Sequence, residues 1–284
     1  MLLSSRIERK NMKNQSKTPS VTLKLCESAI MIALATILSL LKLVDLPYGG
    51  SITFASMLPI LLIAYRHGTP WGLLTATVHG VLQFILGTSV LSYVTGWASV
   101  AAVIILDYFL AFALIGLAGI FKNLKGQKTA LVLGALLAGA LRYLCHVLSG
   151  ATVWAGLSIP TGDALAYSFV YNATYMVPET IILVLCAFYM GGVLNFSTPR
   201  LTPVKKAEAQ KLGWLSYVGG AAVLGALIYD TVAVFSRLQN ADSGEFDITG
   251  ISEVNWTAVI CVSAAGIILC TIFTLIPRFA RKRD

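Results

Sequence analysis

Long apolar runs separated by short polar segments are the dominant pattern of this 284-residue chain. Runs of about 18 or more mainly apolar residues are long enough to cross the hydrocarbon core of a bilayer as helices. The sequence therefore predicts an all-α integral membrane protein with eight transmembrane helices. Their predicted ranges are 22–43, 51–65, 71–87, 98–121, 129–149, 168–195, 213–236 and 256–277.

Lys and Arg residues concentrate in every second link between these runs. The N-terminal tail is basic, and so are the links after the second, fourth and sixth runs and the end of the chain. The link after the third run has no charge, the link after the fifth has only Asp163, and the link after the seventh is acidic. Because basic segments stay in the cytoplasm, this alternation predicts eight spans with both termini cytoplasmic.

The same pattern divides the chain into four parts. Residues 1–21 form a cytoplasmic N-terminal tail and residues 22–196 a six-helix membrane domain. Residues 197–212 form a basic cytoplasmic linker, and residues 213–284 a two-helix extension that ends in a basic tail.

Composition excludes a soluble protein. Hydrophobic residues make up 57% of the chain and charged residues 12%, whereas soluble domains have about 25% charged residues. A formal net charge of +8 could indicate nucleic-acid binding if the basic residues formed one face of a soluble domain. Here they lie between apolar runs, so they act as topology signals and predict no nucleic-acid partner.

Costly polar side chains fall within the fourth and fifth predicted helices. Asp107 is the single charge of its run, and Arg142, His146 and Gly150 share one helix face at spacings of four residues. Ionisable groups inside spans mark functional sites by default. Asp107 is predicted either to bind a cationic or amidine-like ligand or to pair with Arg142. His146 is predicted either to bind ligand or to bond a backbone carbonyl, while Gly150 would allow close approach.

Aromatic residues accompany these polar groups. Trp154, Tyr108, Tyr167 and Trp97 could enclose a ligand, since aromatic faces attract cations and stack on heterocycles. The alternative is the belt of Trp and Tyr at membrane interfaces. We favour the ligand for Trp154, which is predicted to lie in a loop, whereas the belt explains Trp97 at least as well.

The sixth predicted helix carries a polar stripe that should face the bundle. Its members are Ser168, Asn172, Tyr175 and Glu179, spaced at i, i+4, i+7 and i+11. Asn172 lies at the end best placed for a ligand. For Glu179, a structural hydrogen bond is as good an interpretation as ligand contact.

Several catalytic and nucleotide-binding motifs do not occur. The sequence has no G-x-x-x-x-G-K-[ST], no H-E-x-x-H, no zinc-ligand spacing and no G-x-S-x-G. The chain is therefore predicted to bind and translocate a small molecule, with no enzymatic reaction, no metal site and no ATPase of its own.

Several segments resemble the thiamine transporter (ThiT) family, the thiamine-specific substrate-binding (S) components of energy-coupling factor transporters. The resemblance covers about residues 22–196. The segments are 51–87, LDYFLAFALIGLAGIF (106–121), RYLCHVLSG (142–150), the Trp154 segment and YSFVYNATYMVPE (167–179).

The resemblance implies a six-helix bundle that captures thiamine from outside the cell. The bundle would dock on a transmembrane coupling protein and two ABC-type ATPases, with thiamine as transported ligand and no cofactor. Ala29 and Ala33 of the first helix resemble the docking surface. The resemblance assigns thiamine contacts to Asp107, Tyr108, Arg142, His146, Trp154, Tyr167 and Asn172.

Thiamine chemistry agrees with these residue types, because its thiazolium is cationic and its aminopyrimidine forms hydrogen bonds. Arg142 would repel the thiazolium, so it is expected to pair with Asp107 or to bond the hydroxyethyl group.

Residues 197–284 exceed the six helices of the family. Two alternatives stay open: an S component for another heterocyclic vitamin, and a proton-coupled transporter that uses Asp107, His146 and Glu179.

Overall fold

The computed structural model describes most of the chain. The described residues are 19–156, 161–198, 201–204, 214–238 and 247–280. Residues 1–18 of the predicted tail, most of the predicted linker and the basic end of the chain lie outside them.

The described residues form eight helices joined by short connections. Ser20 is the N-cap of the first helix, since its side chain accepts a hydrogen bond from the Leu23 amide at 3.2 Å. The helices are α1 Val21–Leu40, α2 Leu58–His67, α3 Thr69–Leu86, α4 Trp97–Asn123, α5 Gln127–Gly156, α6 Thr161–Val193, α7 Leu215–Leu238 and α8 Trp256–Ala280.

Short strands and single helical turns complete the secondary structure. Strand β1 (Lys42–Asp45) pairs antiparallel with β2 (Ser51–Thr53) across the turn Pro47–Gly49. Strand β3 (Leu194–Asn195) pairs with β4 (Thr202–Pro203) after α6. Short 3₁₀ segments follow α3, at Thr88–Tyr93, and precede α8, at Ile248–Glu253.

Within the described residues, six helices are long and apolar enough to span a bilayer. They are α1, α4, α5, α6, α7 and α8. The all-α membrane fold predicted from the sequence is confirmed.

The prediction of a helix over 51–65 is wrong in its first half. Residues 51–53 form β2, and α2 begins only at Leu58, with Pro59 in its first turn. With ten residues, α2 is about 15 Å long and too short to span a bilayer alone. The β-branched Ile52 and Thr53 suit an extended strand, but the apolar run continues through this break, so hydropathy alone does not reveal it.

The predicted break around Trp154 is also corrected. Helix α5 continues seven residues beyond the predicted end at residue 149, so Trp154 lies on its last turns rather than in a loop. Helix α6 begins at Thr161 rather than at residue 168, which places Tyr167 inside the helix. Gly150 resembles a helix breaker in the sequence, but helix packing holds it in helical conformation.

The centre of the bundle is a close crossing of α2, α3 and α4. Gly68, with a φ of +91°, reverses the chain between α2 and α3. A Cβ at Gly116 of α4 would lie 2.3 Å from the backbone nitrogen of Leu73. Helix α4 can therefore cross α3 this closely only because residue 116 has no side chain.

Helix α7 packs against α6, and α8 packs against α7. The rings of Tyr189 on α6 and Tyr217 on α7 are stacked at 5.1 Å between centroids. Leu227 of α7 belongs to the same apolar cluster as Ile182 of α6. The two helices also bond each other, because Ser263 of α8 donates to the Asp230 carboxylate of α7 at 2.5 Å.

Candidate functional site

A cavity of about 460 Å³ lies at one end of the bundle. Its walls come from the β1–β2 hairpin, the last turns of α1 and α3, the first half of α4, the second half of α5 and the first half of α6. The segment from Gly50 to Ser56 forms one wall without being helical. Non-helical backbone at membrane depth is tolerated where it lines a water-filled cavity, and this segment does so.

Most of the predicted site residues meet in this cavity. Two do not: Trp97 is 85% exposed and lies outside the cavity lining, and Tyr167 lies behind the wall, with its ring 4.5 Å from that of Trp154. The predicted residues that line the cavity are Asp107, Tyr108, Arg142, His146, Gly150, Trp154 and Asn172.

Asp107 and His146 form a hydrogen-bonded pair across α4 and α5. His146 Nδ1 lies 2.8 Å from Asp107 Oδ1, and the Ser149 hydroxyl donates to Asp107 Oδ2 at 2.9 Å. With Nδ1 as the donor, a neutral imidazole keeps Nε2 as an acceptor toward Arg142 Nη2 at 3.5 Å. Both oxygens of Asp107 thus have hydrogen-bond partners, and within the described residues no Lys or Arg forms an ion pair with this carboxylate.

The predicted pairing of Arg142 with Asp107 is wrong. Arg142 Nη1 lies 3.6 Å from Glu179 Oε2, and both side chains are buried. The guanidinium also lies over the ring of Phe112, 4.6 Å from its centroid. The physical reason is the register of α5 against α6, which brings Arg142 opposite Glu179 and leaves His146 opposite Asp107.

A change of helical pitch presents Asp107 and Tyr108 to the cavity. Residues Val103–Leu110 of α4 form a π-helix, a form that is rare and is frequent at functional sites. The Tyr108 hydroxyl donates to the Gly87 carbonyl at 2.8 Å and thereby ties α4 to the end of α3. Sequence periodicity contains no signal for this segment.

The predicted polar stripe of α6 does face the bundle, and its four members are buried. Asn172 donates to the Ser168 carbonyl at 2.8 Å and to the His146 carbonyl at 3.3 Å. The Tyr175 hydroxyl donates to the Asn172 side-chain oxygen. These bonds fix Asn172 beside the Asp107–His146 pair.

Gly150 permits the close contact of α5 with this stripe. A Cβ at this position would lie 2.4 Å from the Ser168 hydroxyl and 3.2 Å from the Asn172 amide nitrogen. The glycine thus lets α5 approach α6 beside the cavity.

Aromatic side chains form a second part of the cavity lining, an aromatic wall beside the polar groups. The ring of Tyr48 lies 4.9 Å from that of Trp154 and 5.8 Å from that of Tyr93. Tyr48 has a φ of +64°, a conformation that non-glycine residues seldom adopt. The wall consists of Tyr48, Tyr93, Trp154, Tyr171 and Tyr175.

Of this wall, sequence reasoning proposed only Trp154 as a ligand contact. Tyr171 and Tyr175 could have been proposed as contacts, because they lie on the sixth predicted helix beside Asn172. The sequence Leu-Pro-Tyr-Gly-Gly around Tyr48 is typical of a turn and could have predicted one there. The hydroxyls of Ser149, Thr53 and Ser56 carried no signal, because serine and threonine are common in membrane helices and loops.

The alanines predicted to dock a partner lie on α1, away from the cavity. Ala29 and Ala33 are exposed, whereas Ala35 on the opposite face is fully buried. Helix α1 therefore packs into the bundle through one face, and the described residues leave the Ala29–Ala33 face uncovered.

Comparisons with known proteins converge on one family. Residues 25–196 match the family described as thiamine transporter protein (Thia_YuaJ). The chain is similar to thiamine transporter ThiT of Bacillus subtilis, with 38% identity over 209 residues, 68% of this chain and 100% of that protein. It is also similar to thiamine transporter ThiT of Lacticaseibacillus paracasei, with 26% identity over 203 residues, 64% of this chain and 92% of that protein.

A solved structure of ThiT from Listeria monocytogenes is 23% identical, with a TM-score of 0.49, and the match covers 60% of this chain and 93% of that one. The family match spans more than half of the chain and ends before α7, and the Bacillus subtilis protein is covered along its whole length. On this evidence the chain belongs to the thiamine transporter family.

Proposed function

We propose that this chain binds thiamine in the cavity and serves as the substrate-binding subunit of an energy-coupling factor vitamin transporter. The observation that carries the proposal is the charge of the cavity lining. Two basic and three acidic side chains line it, so with His146 neutral the described lining has one net negative charge. Lys42, Asp45, Asp107, Arg142 and Glu179 are the five charged residues.

A single negative charge beside an aromatic wall suits a monovalent aromatic cation. Thiazolium is such a cation, and aromatic faces attract cations by about 0.5 to 2 kcal/mol. The aminopyrimidine ring of thiamine has both donors and acceptors, which Asp107, His146 and Asn172 can match. A volume of about 460 Å³ lies within the range of roughly 300 to 1,000 Å³ that is usual for small-molecule pockets.

Isothermal titration of the purified full-length protein in detergent tests this function. We expect saturable binding of thiamine with one site per chain, and much weaker binding of riboflavin and biotin. Tighter binding of another vitamin would favour an S component of different specificity. A folded protein that binds none of these ligands would contradict the proposal.

Trp154 and Trp97 make a matched pair of variants. Trp154 is 5% exposed and lines the cavity, whereas Trp97 is 85% exposed. Trp154→Ala should weaken thiamine binding by about tenfold, since one aromatic face is lost. Trp97→Ala should change the dissociation constant by less than about twofold, and equal losses in the two variants would show that Trp154 does not contact the ligand.

The distribution of basic residues supports an opening toward the outside of the cell. Lys24, Arg66, Lys122 and Lys125 lie at the end of the bundle opposite the cavity. By the positive-inside rule that end is cytoplasmic. The proposed topology then has both termini in the cytoplasm and the thiamine site on the outer side.

The proposed partners are a transmembrane coupling protein and two ATPases. The exposed Ala29–Ala33 face supports docking through α1, since small residues four apart allow close helix approach in lipid. Helix α7 packs on α6 and α8 packs on α7, so this extension lies on α6 rather than on the Ala29–Ala33 face. In proteoliposomes, uptake should require ATP and these partners, and gradient-driven uptake by this chain alone would favour the proton-coupled alternative.

A further inference from the structure

We infer that Glu179 is a positioning residue that sets the charge selectivity of the cavity. It holds Arg142 and neutralises it, so that Asp107 remains as the uncompensated charge that favours a cationic ligand. This role rests on the proposed binding of thiamine and deepens it by naming what makes the site prefer a cation.

The environment of Glu179 holds its carboxylate in place. Its side chain is 4% exposed, and Thr53 and Ser56 donate to Oε1 at 2.5 and 3.4 Å. Oε2 faces Arg142 Nη1 at 3.6 Å. An ionised group at this burial needs both a charge partner and hydrogen bonds, and Glu179 has both.

Arg142 is held away from Asp107 by the same arrangement. Its guanidinium lies between Glu179 and the face of Phe112, at 4.6 Å from the ring centroid. Between Arg142 and Asp107 stands the imidazole of His146, 3.5 Å from Arg142 Nη2 and 2.8 Å from Asp107 Oδ1. Without the Glu179 charge, Arg142 would be neutralised only through this imidazole, and the cavity would lose its negative charge.

The other charged pair of the cavity lining, Lys42 and Asp45, cannot take over the role of Glu179. Lys42 and Asp45 bond each other at 3.0 Å at the mouth of the cavity, where their side chains are 44% and 61% exposed. Water and salt screen exposed charges strongly. The unscreened charges that a ligand meets within the described lining are therefore those of Asp107, which is partly buried, and of the buried Glu179 and Arg142.

Glu179→Gln tests the role, because glutamine keeps the size of the side chain and an oxygen that Thr53 and Ser56 can bond. The measurement compares thiamine with a neutral analogue in which a thiophene ring replaces the thiazolium ring. One unit charge about 10 Å away changes the affinity of a cation by roughly tenfold at an effective dielectric constant of about 20. We expect Glu179→Gln to weaken thiamine binding by that factor or more and to leave the neutral analogue within about twofold.

Two further variants separate charge from structure. Glu179→Gln combined with Arg142→Gln removes both buried charges and should restore the wild-type ratio of thiamine affinity to analogue affinity. Asp163→Asn makes the same change of net charge at an exposed position of α6 outside the cavity lining and should leave the ratio unchanged within about twofold, because that charge is screened.

The outcomes distinguish the two proposals. Wild-type protein that does not bind thiamine overturns the proposed function and this role with it. Wild-type binding combined with equal losses of thiamine and analogue in Glu179→Gln overturns the role of Glu179 alone. Should Glu179→Gln not fold in detergent, the double variant decides, and a ratio below that of the wild type overturns the role.

Discussion

Replacing Asp107 with Asn is expected to weaken thiamine binding by roughly a hundredfold or more. The change removes the carboxylate that no cation neutralises directly and thus the net charge of the cavity. It also disrupts the hydrogen bonds from His146 at 2.8 Å and Ser149 at 2.9 Å. Hydrogen bonds to charged groups contribute about 1.5 to 3 kcal/mol, and with the lost Coulomb attraction this gives the stated factor.

The measurement is isothermal titration of the Asp107→Asn protein with thiamine, and Asp163→Asn serves as the matched control. Asp163 is an exposed carboxylate in the first turn of α6 and does not line the cavity. We expect its replacement to change the dissociation constant by less than about twofold. An Asp107→Asn protein with wild-type affinity would assign Asp107 a structural role and would contradict the charge argument. Unlike Glu179→Gln, Asp107→Asn should also weaken the neutral analogue, because ligand hydrogen bonds are lost together with charge.

Gly116→Ala is expected to destabilise the crossing of α3 and α4 strongly. The added Cβ would lie 2.3 Å from the Leu73 nitrogen and 2.5 Å from the Gly72 carbonyl carbon, and these backbone atoms can move only if the helices move. Overpacking of this kind costs about 1 to 3 kcal/mol, and contacts with rigid backbone lie at the upper end. The thermal unfolding midpoint should fall by roughly 5 to 10 °C.

Gly225→Ala in α7 is the control for this change. Gly225 is exposed, and a Cβ there would meet no atom within 4 Å. Since alanine favours helix over glycine by about 1 kcal/mol, this variant should unfold at the wild-type midpoint or slightly above it. Equal midpoints for the two variants would show that α3 and α4 do not cross as closely as the coordinates place them.

The sequence was sufficient to predict both the class of the protein and its family. Eight apolar runs predicted an all-α membrane protein, and motifs such as RYLCHVLSG indicated thiamine transporters rather than enzymes. The helical fold and the family match confirm both predictions. The convergence of Asp107, His146 and Asn172 was also predictable, because ionisable and amide groups in apolar helices must turn toward one another and away from lipid.

The local sequence could not predict where an apolar run departs from the α-helical conformation or where a helix ends. The segment at 51–57 is apolar enough to resemble part of a span, yet residues 51–53 form β2, residues 54–57 are not helical, and the segment lines the cavity. The π-helix around Asp107 and the continuation of α5 through Trp154 likewise depend on what each segment packs against. Hydropathy measures how apolar a segment is and does not depend on the segments that pack against it.

By itself, then, the sequence determined that apolar helices form, that most of their costly polar groups turn inward and which family the chain belongs to, because hydrophobic periodicity and polar groups are read within single segments. Only the tertiary structure decided which side chains contact one another. Arg142 faces Glu179, Asp107 faces His146, and Tyr48 joins the wall around Trp154, because these contacts depend on the rotation and register of separate helices. One turn of helix moves a side chain about 5 Å along the axis, and no pattern within a single segment determines that offset.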